Sequence, residues 1–166
     1  MNLFLLRHGL AVEPGTAGYS KDADRPLTPK GARKLRRAAQ TMKALDLSFD
    51  LILSSPHLRA RQTAAIFAKA LDAKDRLELS GALAPGNAPR EIIESLHRLP
   101  MPGNVLLVGH EPGLSQLISL LVAGDSGLSV LVKKGGLCKL SAESLKPGRC
   151  ATLEWLLTPK QMALMA

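Results

Sequence analysis

The chain has 166 residues, of which 46% are hydrophobic and 22% charged, a balance typical of a globular protein that excludes disorder over most of the length. The apolar stretch Leu3–Leu6 is too short for a signal peptide, and no other stretch approaches the length of a membrane span. Cys138 and Cys150 lack metal-ligand spacing. We therefore expect one domain over residues 1–166, a cytoplasmic location, no membrane partner and a monomer.

The formal net charge of +8 attracts phosphates, acidic protein surfaces and nucleic acids alike, so charge alone selects none of these partners. One stretch holds many of the cations, namely Lys30, Arg33, Lys34, Arg36, Arg37 and Lys43. The same stretch has the pattern of an amphipathic helix with a solvated polar face, and no aromatic residues interleave with its charges as stacking platforms. Nucleic-acid binding is therefore a minor hypothesis, and we do not expect it.

Short apolar runs alternate with longer helical patterns, which predicts βαβ units and a mostly parallel sheet. In the first half the predicted strands are Asn2–Leu6, Leu51–Leu53 and Leu77–Leu79. The dipeptide Thr28-Pro29 predicts the start of a helix that ends before Asp46. The dipeptide Ser55-Pro56 repeats this signal and predicts a second helix. That helix carries Arg59, Gln62, Ile66 and Ala70 at helical spacing.

In the second half the aliphatic run Asn104–Val108 is the strongest strand prediction, because a central strand is buried on both faces. Before it lies a predicted helix, ended by Pro100 and Pro102, with Ile92, Ile93, Leu96 and Leu99 facing inward. After it, Pro112 begins a helix with Gly124 as its C-cap. The apolar face of this helix is Leu114, Leu117, Ile118 and Leu121, and the closing strands are predicted at Val130–Val132, Gly136–Leu140 and Ala151–Leu157.

Two histidines follow predicted central strands, since His8 lies near the end of the first and His110 near the end of Asn104–Val108. Because the carboxyl ends of parallel strands meet at one sheet edge, where open α/β folds bind ligands, we expect the two imidazoles to lie close together. A neutral imidazole is a good nucleophile toward phosphorus. The guanidinium groups of Arg7 and Arg59 suit the oxygens of a phosphate. This set predicts a phosphoryl-transfer site.

Each of these residues also has a structural interpretation, in which a strand-end histidine caps the strand and Arg59 is a surface charge. The combination favours the phosphate site, because several coincidences would otherwise be needed. His57 and His97 lie in helical patterns without a matching partner, and we predict structural roles for both.

Three motifs carry a resemblance to a known family. Arg7–Gly9, Ser54–Thr63 and Val108–Pro112 resemble, in order and spacing, the three signature segments of the histidine phosphatase superfamily, which has the phosphoglycerate-mutase-like fold. Asp24–Gly31 and Leu153–Pro159 resemble segments of its SixA-type phosphohistidine phosphatases. The resemblance implies a three-layer α/β/α sandwich with a mostly parallel central sheet, no metal and no cofactor.

The resemblance also implies roles for individual residues. It implies that His8 is the phosphorylated nucleophile, and that Arg7, Arg59 and His110 are catalytic residues that also bind the phosphate of the substrate. Arg25 is implied near the mouth of the pocket, where it contacts the substrate or is an exposed loop arginine. Phosphate or its analogues are the expected ligands.

Departures from the family pattern bear on the substrate. Leu10, Ala11 and Val12 stand where phosphoglycerate mutases and many small-molecule phosphatases of the family have polar residues. A carboxylate over the leaving group has no evident equivalent, because Glu91 is better explained as an acid that stabilises a helix start. Phosphohistidine leaves as an imidazole and needs less help from a general acid than an alkoxide does.

The sequence therefore predicts a phosphohistidine phosphatase that dephosphorylates a phosphorylated protein through a phospho-His8 intermediate. Two alternatives stay open. One is a phosphomonoesterase for a small phosphate ester, and the other is a non-catalytic module that binds phosphate or nucleic acid.

Overall fold

A six-stranded sheet forms the centre of the computed structural model, which describes residues 1–99 and 103–165. The strands are β1 (Asn2–Arg7), β2 (Leu51–Ser54), β3 (Leu77–Leu79), β4 (Asn104–Gly109), β5 (Leu137–Ala142) and β6 (Ala151–Leu157). The helices are α1 (Pro29–Ala44), α2 (Leu58–Ala70), α3 (Pro89–His97), α4 (Gly113–Ala123) and α5 (Pro159–Leu164). Helices cover both faces of the sheet, which confirms the predicted α/β sandwich.

The strand order is β3-β2-β4-β1-β5-β6. Strands β3, β2, β4 and β1 pair in parallel, whereas β5 runs antiparallel to both β1 and β6. The sheet is therefore mixed, with β5 opposite in direction to the other five strands. In the central pair, Arg7 of β1 is in register with Gly109 of β4. The residues that follow these two, His8 and His110, consequently leave the sheet side by side.

Alternating side chains of β1 enter two separate cores, as the period of a strand requires. Leu3 and Leu5 pack with helices α3 and α4 on one face. Phe4 and Leu6 pack with α1, α2 and α5 on the other. Burial of β1 and β4 on both faces holds their carboxyl ends rigidly, which is what a site built at those ends requires.

Local capping explains where helix α1 begins and where helix α4 ends. The Thr28 side chain accepts a hydrogen bond from Gly31 N at 3.0 Å, which confirms the predicted start of α1. Gly124 adopts a left-handed conformation with φ of 93° at the end of α4, which confirms the predicted C-cap. Helix α4 itself begins at Gly113, one residue after the predicted Pro112.

The predicted start of α2 was wrong. Helix α2 begins at Leu58 with His57 as its N-cap residue, and the His57 side chain makes no capping bond. Ser55 does not cap the helix because its hydroxyl is engaged elsewhere, accepting from His57 N at 3.3 Å and contacting His110 at 2.8 Å. The Ser55 hydroxyl, which the sequence suggested as a helix cap, therefore contacts His110 instead.

The predicted strand at Val130–Val132 is also wrong. This segment has no regular structure, and the Val132 carbonyl accepts a hydrogen bond from Arg7 Nη1 at 2.9 Å instead of joining a ladder. Conversely, helix α5 was not predicted, although Thr158 and Gln161 exchange capping hydrogen bonds at its start. The prediction that Pro100 and Pro102 end a helix lies outside the described residues, and α3 ends at His97.

Of the helices in the described ranges, none has the length and hydrophobicity of a membrane-spanning segment. In the same residues, no group of three or more His, Cys, Asp and Glu side chains has an arrangement that could hold a metal ion.

Candidate active site

The residues predicted to form the site line one cavity at the carboxyl ends of β1 and β4. The cavity has a volume of about 210 Å³, and its walls include Arg7, His8, Arg25, Arg59 and His110. The His8 and His110 rings lie 5.0 Å apart, centroid to centroid. Strand pairing continues to this point, because His8 N donates to Gly109 O at 3.1 Å. Residues separated by about a hundred positions are thus brought together by the parallel central pair.

The His8 imidazole is held in one tautomer. Its Nδ1 lies 2.8 Å from Gly9 O, an acceptor, so Nδ1 carries the hydrogen. Its Nε2 accepts a hydrogen bond from Arg59 Nε at 3.3 Å and therefore carries no hydrogen, so its electron pair is unprotonated. Burial, together with the positive charges of Arg59 and Arg7, lowers the pKa of His8 to about 4. His8 is therefore neutral near pH 7, with Nε2 in the form of a nucleophile.

Arg59 lies in the first turn of α2 with only 4% of its surface exposed. Its Nη1 donates to Asp22 O at 2.7 Å and its Nη2 to Asp22 Oδ2 at 2.9 Å. Together with the contact of Nε to His8, these bonds fix the plane of the guanidinium against the His8 ring. A buried and oriented guanidinium supplies positive hydrogen-bond donors where the oxygens of a transferring phosphoryl group need them.

Arg7 is held by the segment between α4 and β5. Its Nη1 donates to Val132 O, whereas its buried Nε has no partner. Gly135 N lies 3.0 Å from both the Arg7 and the His8 carbonyl oxygens, and Arg7 N donates to Gly136 O. Gly135 has a φ of 75°, a conformation that glycine adopts without strain. This turn fixes the backbone of Arg7 and His8 and leaves an Arg7 donor available at the cavity.

His110 is held from the opposite side. Because the Ser55 hydroxyl accepts from His57 N, its own hydrogen is available to donate to His110 Nε2, 2.8 Å away. When the Ser55 hydroxyl donates to Nε2 in this way, the hydrogen of the neutral His110 ring resides on Nδ1, which is buried and has no partner. Burial, followed by the charge that His8 gains when it is protonated in acid and by the charge of Arg59, lowers the pKa of His110 to about 3. Both rings are thus neutral near pH 7.

Arg25 is close to the cavity but is already paired. Its Nε and Nη2 donate to Asp22 Oδ1 at 2.9 and 2.6 Å, and its Nη1 donates to Val12 O at 2.6 Å. Asp22 therefore joins Arg25 to Arg59. Although partial burial acts to raise it, hydrogen bonds from Arg25 and Arg59 lower the pKa of Asp22 to about 2. An ionised carboxylate thus lies against two guanidinium groups that face the phosphate cavity.

Sequence reasoning missed Asp22 and assigned His57 a purely structural role. His57 lies beside the site, with its ring 5.2 Å from the His110 ring and its Nδ1 3.5 Å from Asp22 Oδ2. Burial, followed by the charge of Arg59, lowers the pKa of His57. Two signals could have indicated these residues, since Asp22 precedes Arg25 by three positions and His57 directly precedes the helix that carries Arg59.

Two acids near the site differ in what they can do. The Glu91 carboxylate accepts from Ala88 N at 3.1 Å at the start of α3, as expected for a helix-start acid, and lies outside the cavity. Glu111 lines the cavity directly after His110. Its Oε2 accepts from the Ser115 hydroxyl at 2.6 Å, and its buried Oε1 has no partner. Glu111 was not singled out in the sequence and is the acid best placed to act on a leaving group.

Similarity to known proteins identifies the family of the chain. Residues 3–83 match the family model described as the histidine phosphatase superfamily (branch 1). An uncharacterised protein of Picosynechococcus is 37% identical over 142 residues, which cover 84% of both chains. This chain belongs to the histidine phosphatase superfamily.

Within the superfamily, the chain is similar to proteins named SixA. The phosphohistidine phosphatase SixA of Escherichia coli is 29% identical over 128 residues, 76% of this chain and 77% of that protein. A solved structure of the protein histidine phosphatase SixA complexed with tungstate superposes with a TM-score of 0.82 at 26% identity, covering 96% of this chain and 98% of the other. The fold is therefore phosphoglycerate-mutase-like, and membership with this SixA-like structure supports a phosphatase.

Proposed function

We propose that the protein is a phosphohistidine phosphatase that removes the phosphoryl group from a histidine of another protein through a phospho-His8 intermediate. The observation that carries the proposal is the state of His8. Its Nε2 is unprotonated, and the ring lies in a cavity lined by Arg7, Arg59 and His110. The similarity to SixA, whose solved structure is complexed with tungstate, a phosphate analogue, supports phosphate as the group bound there.

In the first step, His8 Nε2 attacks phosphorus and the bond from phosphorus to the substrate imidazole breaks. The electron pair of that bond goes to the leaving nitrogen, so a substrate ring protonated on its other nitrogen leaves as neutral imidazole. The His8 ring becomes cationic, and its Nδ1–H remains bound to Gly9 O, 2.8 Å away. Because one imidazole replaces another, the charge on the phosphoryl group does not change.

In the second step, water attacks phosphorus and the electron pair returns to His8 Nε2. Both protons of the water stay with the phosphate, which leaves as H₂PO₄⁻, and His8 is again neutral with its hydrogen on Nδ1. Arg7, Arg59 and the Nδ1–H of His110 are the donors that stabilise the equatorial oxygens in both steps. Positioning and positive charge therefore supply most of the catalysis.

A small-ester phosphatase is the second candidate, and Glu111 is the observation that favours it. An alkoxide leaving group requires a proton, and Glu111 is a carboxylate at the cavity with one unpartnered oxygen. The leaving imidazole of phosphohistidine needs no such donor. Glu111→Gln, which keeps the size of the side chain and removes its acidity, therefore separates the two functions.

The decisive experiment offers the protein N-phosphoimidazole, a histidine-phosphorylated protein and a panel of phosphate esters, all labelled with ³²P. We expect faster turnover of the two N–P substrates, a base-stable label on His8, and N–P turnover by Glu111→Gln within about threefold of the unaltered protein. Faster turnover of esters, with a large loss in Glu111→Gln, would overturn the proposal in favour of the ester phosphatase. Binding of phosphate without turnover of any substrate would indicate a non-catalytic module.

A further inference from the structure

The positive charge of the molecule is concentrated on one of its two helical layers. Helices α1, α2 and α5 cover the same face of the sheet, and we call them the basic layer. Their exposed cations are Lys30, Arg33, Lys34, Arg36, Arg37 and Lys43 on α1, Arg61 and Lys69 on α2, and Lys160 on α5. The sequences of these three helices, which lie within the described residues, contain no Asp or Glu.

The basic layer is not what helix stability alone would select. Cations in the first turn of α1, such as Lys30, face the positive end of the helix dipole. Arg33 and Arg37 are four positions apart, a spacing at which like charges repel. Among the described residues, one of these cations forms an ion pair with an acid. Lys43 Nζ lies 3.4 Å from Asp72 Oδ2, and both side chains are exposed. The surface thus carries a largely uncompensated charge that an external partner would neutralise.

Two grooves cross the basic layer, and each has an apolar floor between cations. The groove between α1 and α2 has a volume of about 390 Å³, with Ile66 and Ala70 beside Arg36, Lys43 and Lys69. The groove between α1 and α5 has a volume of about 270 Å³, with Pro159 and Ala163 beside Lys34, Arg37 and Lys160. A helix with apolar side chains flanked by carboxylates has the complementary pattern.

The α1–α2 groove is connected to the catalytic cavity through α2. Arg59 in the cavity and Ile66 in the groove are seven residues apart, so they lie on the same side of the helix about 10 Å apart along its axis. A partner bound in the groove therefore lies within about 10–20 Å of His8, the proposed nucleophile. A phosphorylated side chain on the same partner could reach His8 while the rest of its helix stays on α2.

We propose that the basic layer is a docking surface for an acidic helical face of the phosphorylated protein substrate. The inference rests on the proposed function, because it names the partner of the same site. A protein fits better than a nucleic acid, since the aromatic residue of these three helices, Phe67, is fully buried and leaves no stacking platform. The apolar floors of the grooves suit the side chains of a helix and offer nothing to a phosphodiester backbone.

The test compares two triple charge reversals in the full chain. The docking variant is Arg36→Glu, Lys43→Glu and Lys69→Glu. The matched control is Arg90→Glu, Arg98→Glu and Lys146→Glu, which changes the net charge equally at exposed positions outside the basic layer. Both are assayed with N-phosphoimidazole and with a histidine-phosphorylated helical-bundle protein that has an acidic face. The same bundle with those acids replaced by Gln serves as a third substrate.

We expect the docking variant to lose about tenfold or more in kcat/KM for the acidic bundle, through KM, and to turn over N-phosphoimidazole as the unaltered protein does. The control variant should change neither rate by more than about twofold. When the salt concentration is raised from about 0.05 to about 0.5 M, the rate of the unaltered protein with the acidic bundle should decrease, and the rate of the docking variant should not. For the Gln-substituted bundle, the docking variant and the unaltered protein should have the same kcat/KM.

Equal losses in both triple variants, or equal losses on the bundle and on N-phosphoimidazole, would overturn the docking surface while leaving the proposed function intact. Absence of N–P turnover by the unaltered protein would instead overturn the proposed function, and this inference with it. Fluorescence anisotropy with a labelled single-stranded RNA and a DNA duplex completes the test. Nucleic-acid binding lost in the docking variant, with unchanged kinetics on the acidic bundle, would assign the surface to nucleic acid and contradict the proposal.

Discussion

The two histidines that follow β1 and β4 are adjacent in register, yet their rings are held in opposite ways. His8 donates from Nδ1 to a backbone carbonyl, which leaves the acceptor Nε2 toward Arg59. His110 is bound at Nε2 by the Ser55 hydroxyl, which leaves an unpartnered Nδ1 donor. The group that binds His8 Nδ1 or His110 Nε2 thus sets the tautomer of that ring, and the tautomer decides whether the other nitrogen can accept or donate a proton. In the proposed mechanism the same type of side chain therefore acts as the nucleophile at one strand end and as a donor at the other.

The largest expected effect is the loss of the nucleophile. His8→Ala should lower kcat by about 10⁴-fold or more, because the lone pair of the other imidazole, on His110 Nε2, is bound by the Ser55 hydroxyl at 2.8 Å and cannot replace it. The measurement is single-turnover release of phosphate together with ³²P labelling of the protein. Circular dichroism should show an unchanged fold. Label on His110 in this variant would contradict the assignment of unequal roles.

His110→Ala should have a smaller effect, a loss of about 10²–10³-fold in kcat, because it removes one donor to the phosphoryl oxygens and keeps the nucleophile. Label should still accumulate on His8, at a reduced rate. Rapid-quench labelling separates this outcome from that of His8→Ala. If both variants are equally inactive and equally unlabelled, the assignment of different roles to His8 and His110 would be contradicted.

The sequence predicts the part of this arrangement that depends on periodicity. Continuous apolar residues before Arg7 and before His110 identify β1 and β4, and parallel pairing then places both histidines at one edge. Arg59 follows from its place in the first turn of a helix after β2. Ser55 shows the limit, because its hydroxyl resembled a helix-capping signal and instead binds His110, which is 55 residues away.

The polar contacts between distant loops were not predictable in the same way. Asp22 lies in a turn whose position depends on Arg25 and Arg59 together, and no periodic pattern indicates that a loop acid will contact a buried arginine. Val132 belongs to an aliphatic run that favours a strand, but its carbonyl is used by Arg7. Tertiary hydrogen bonds thus override local propensity where the chain builds the site.

The pH dependence of the free energy of unfolding should show that both histidine rings are held neutral in the folded protein. The pKa is about 4 for His8 and about 3 for His110, below the 6.5 of an unfolded chain. Between about pH 6.5 and 4 the unfolded chain therefore binds more protons than the folded protein, so the free energy of unfolding falls as the pH falls. Each histidine should contribute on the order of 2–3 kcal/mol to this change.

Urea unfolding at several pH values between 4 and 7 measures this dependence. His8→Asn and His110→Asn should each flatten it, since each removes one group that titrates in the unfolded chain alone. His97→Asn is the control, because His97 lies outside the cavity, where its Nε2 is 2.7 Å from Leu145 O. An equal flattening by all three substitutions would show that the two site histidines are not held neutral by their surroundings.

Ser55→Ala should lower kcat about tenfold with little change in KM, because His110 loses the bond that fixes its ring and its tautomer. Ser54→Ala is a matched control, since the buried Ser54 hydroxyl donates to Ser55 O at 2.9 Å and touches neither histidine. Steady-state kinetics with N-phosphoimidazole over a range of pH distinguishes the two. Equal losses in both variants would reduce the role of Ser55 to support of the loop.

The smallest expected effect concerns Asp22, which bridges the two strand ends. Its Oδ2 is 2.9 Å from Arg59 Nη2, beside His8, and 3.5 Å from His57 Nδ1, beside His110. Because this carboxylate competes with phosphate for the guanidinium groups, Asp22→Asn should strengthen product inhibition by inorganic phosphate about three- to fivefold. Asp24→Asn, at an exposed neighbour outside the ion pairs with Arg25 and Arg59, should leave the inhibition constant unchanged. Weaker inhibition in Asp22→Asn would show that the carboxylate serves to hold Arg59 in place rather than to compete for it, and the link between the two strand ends would then be one of geometry.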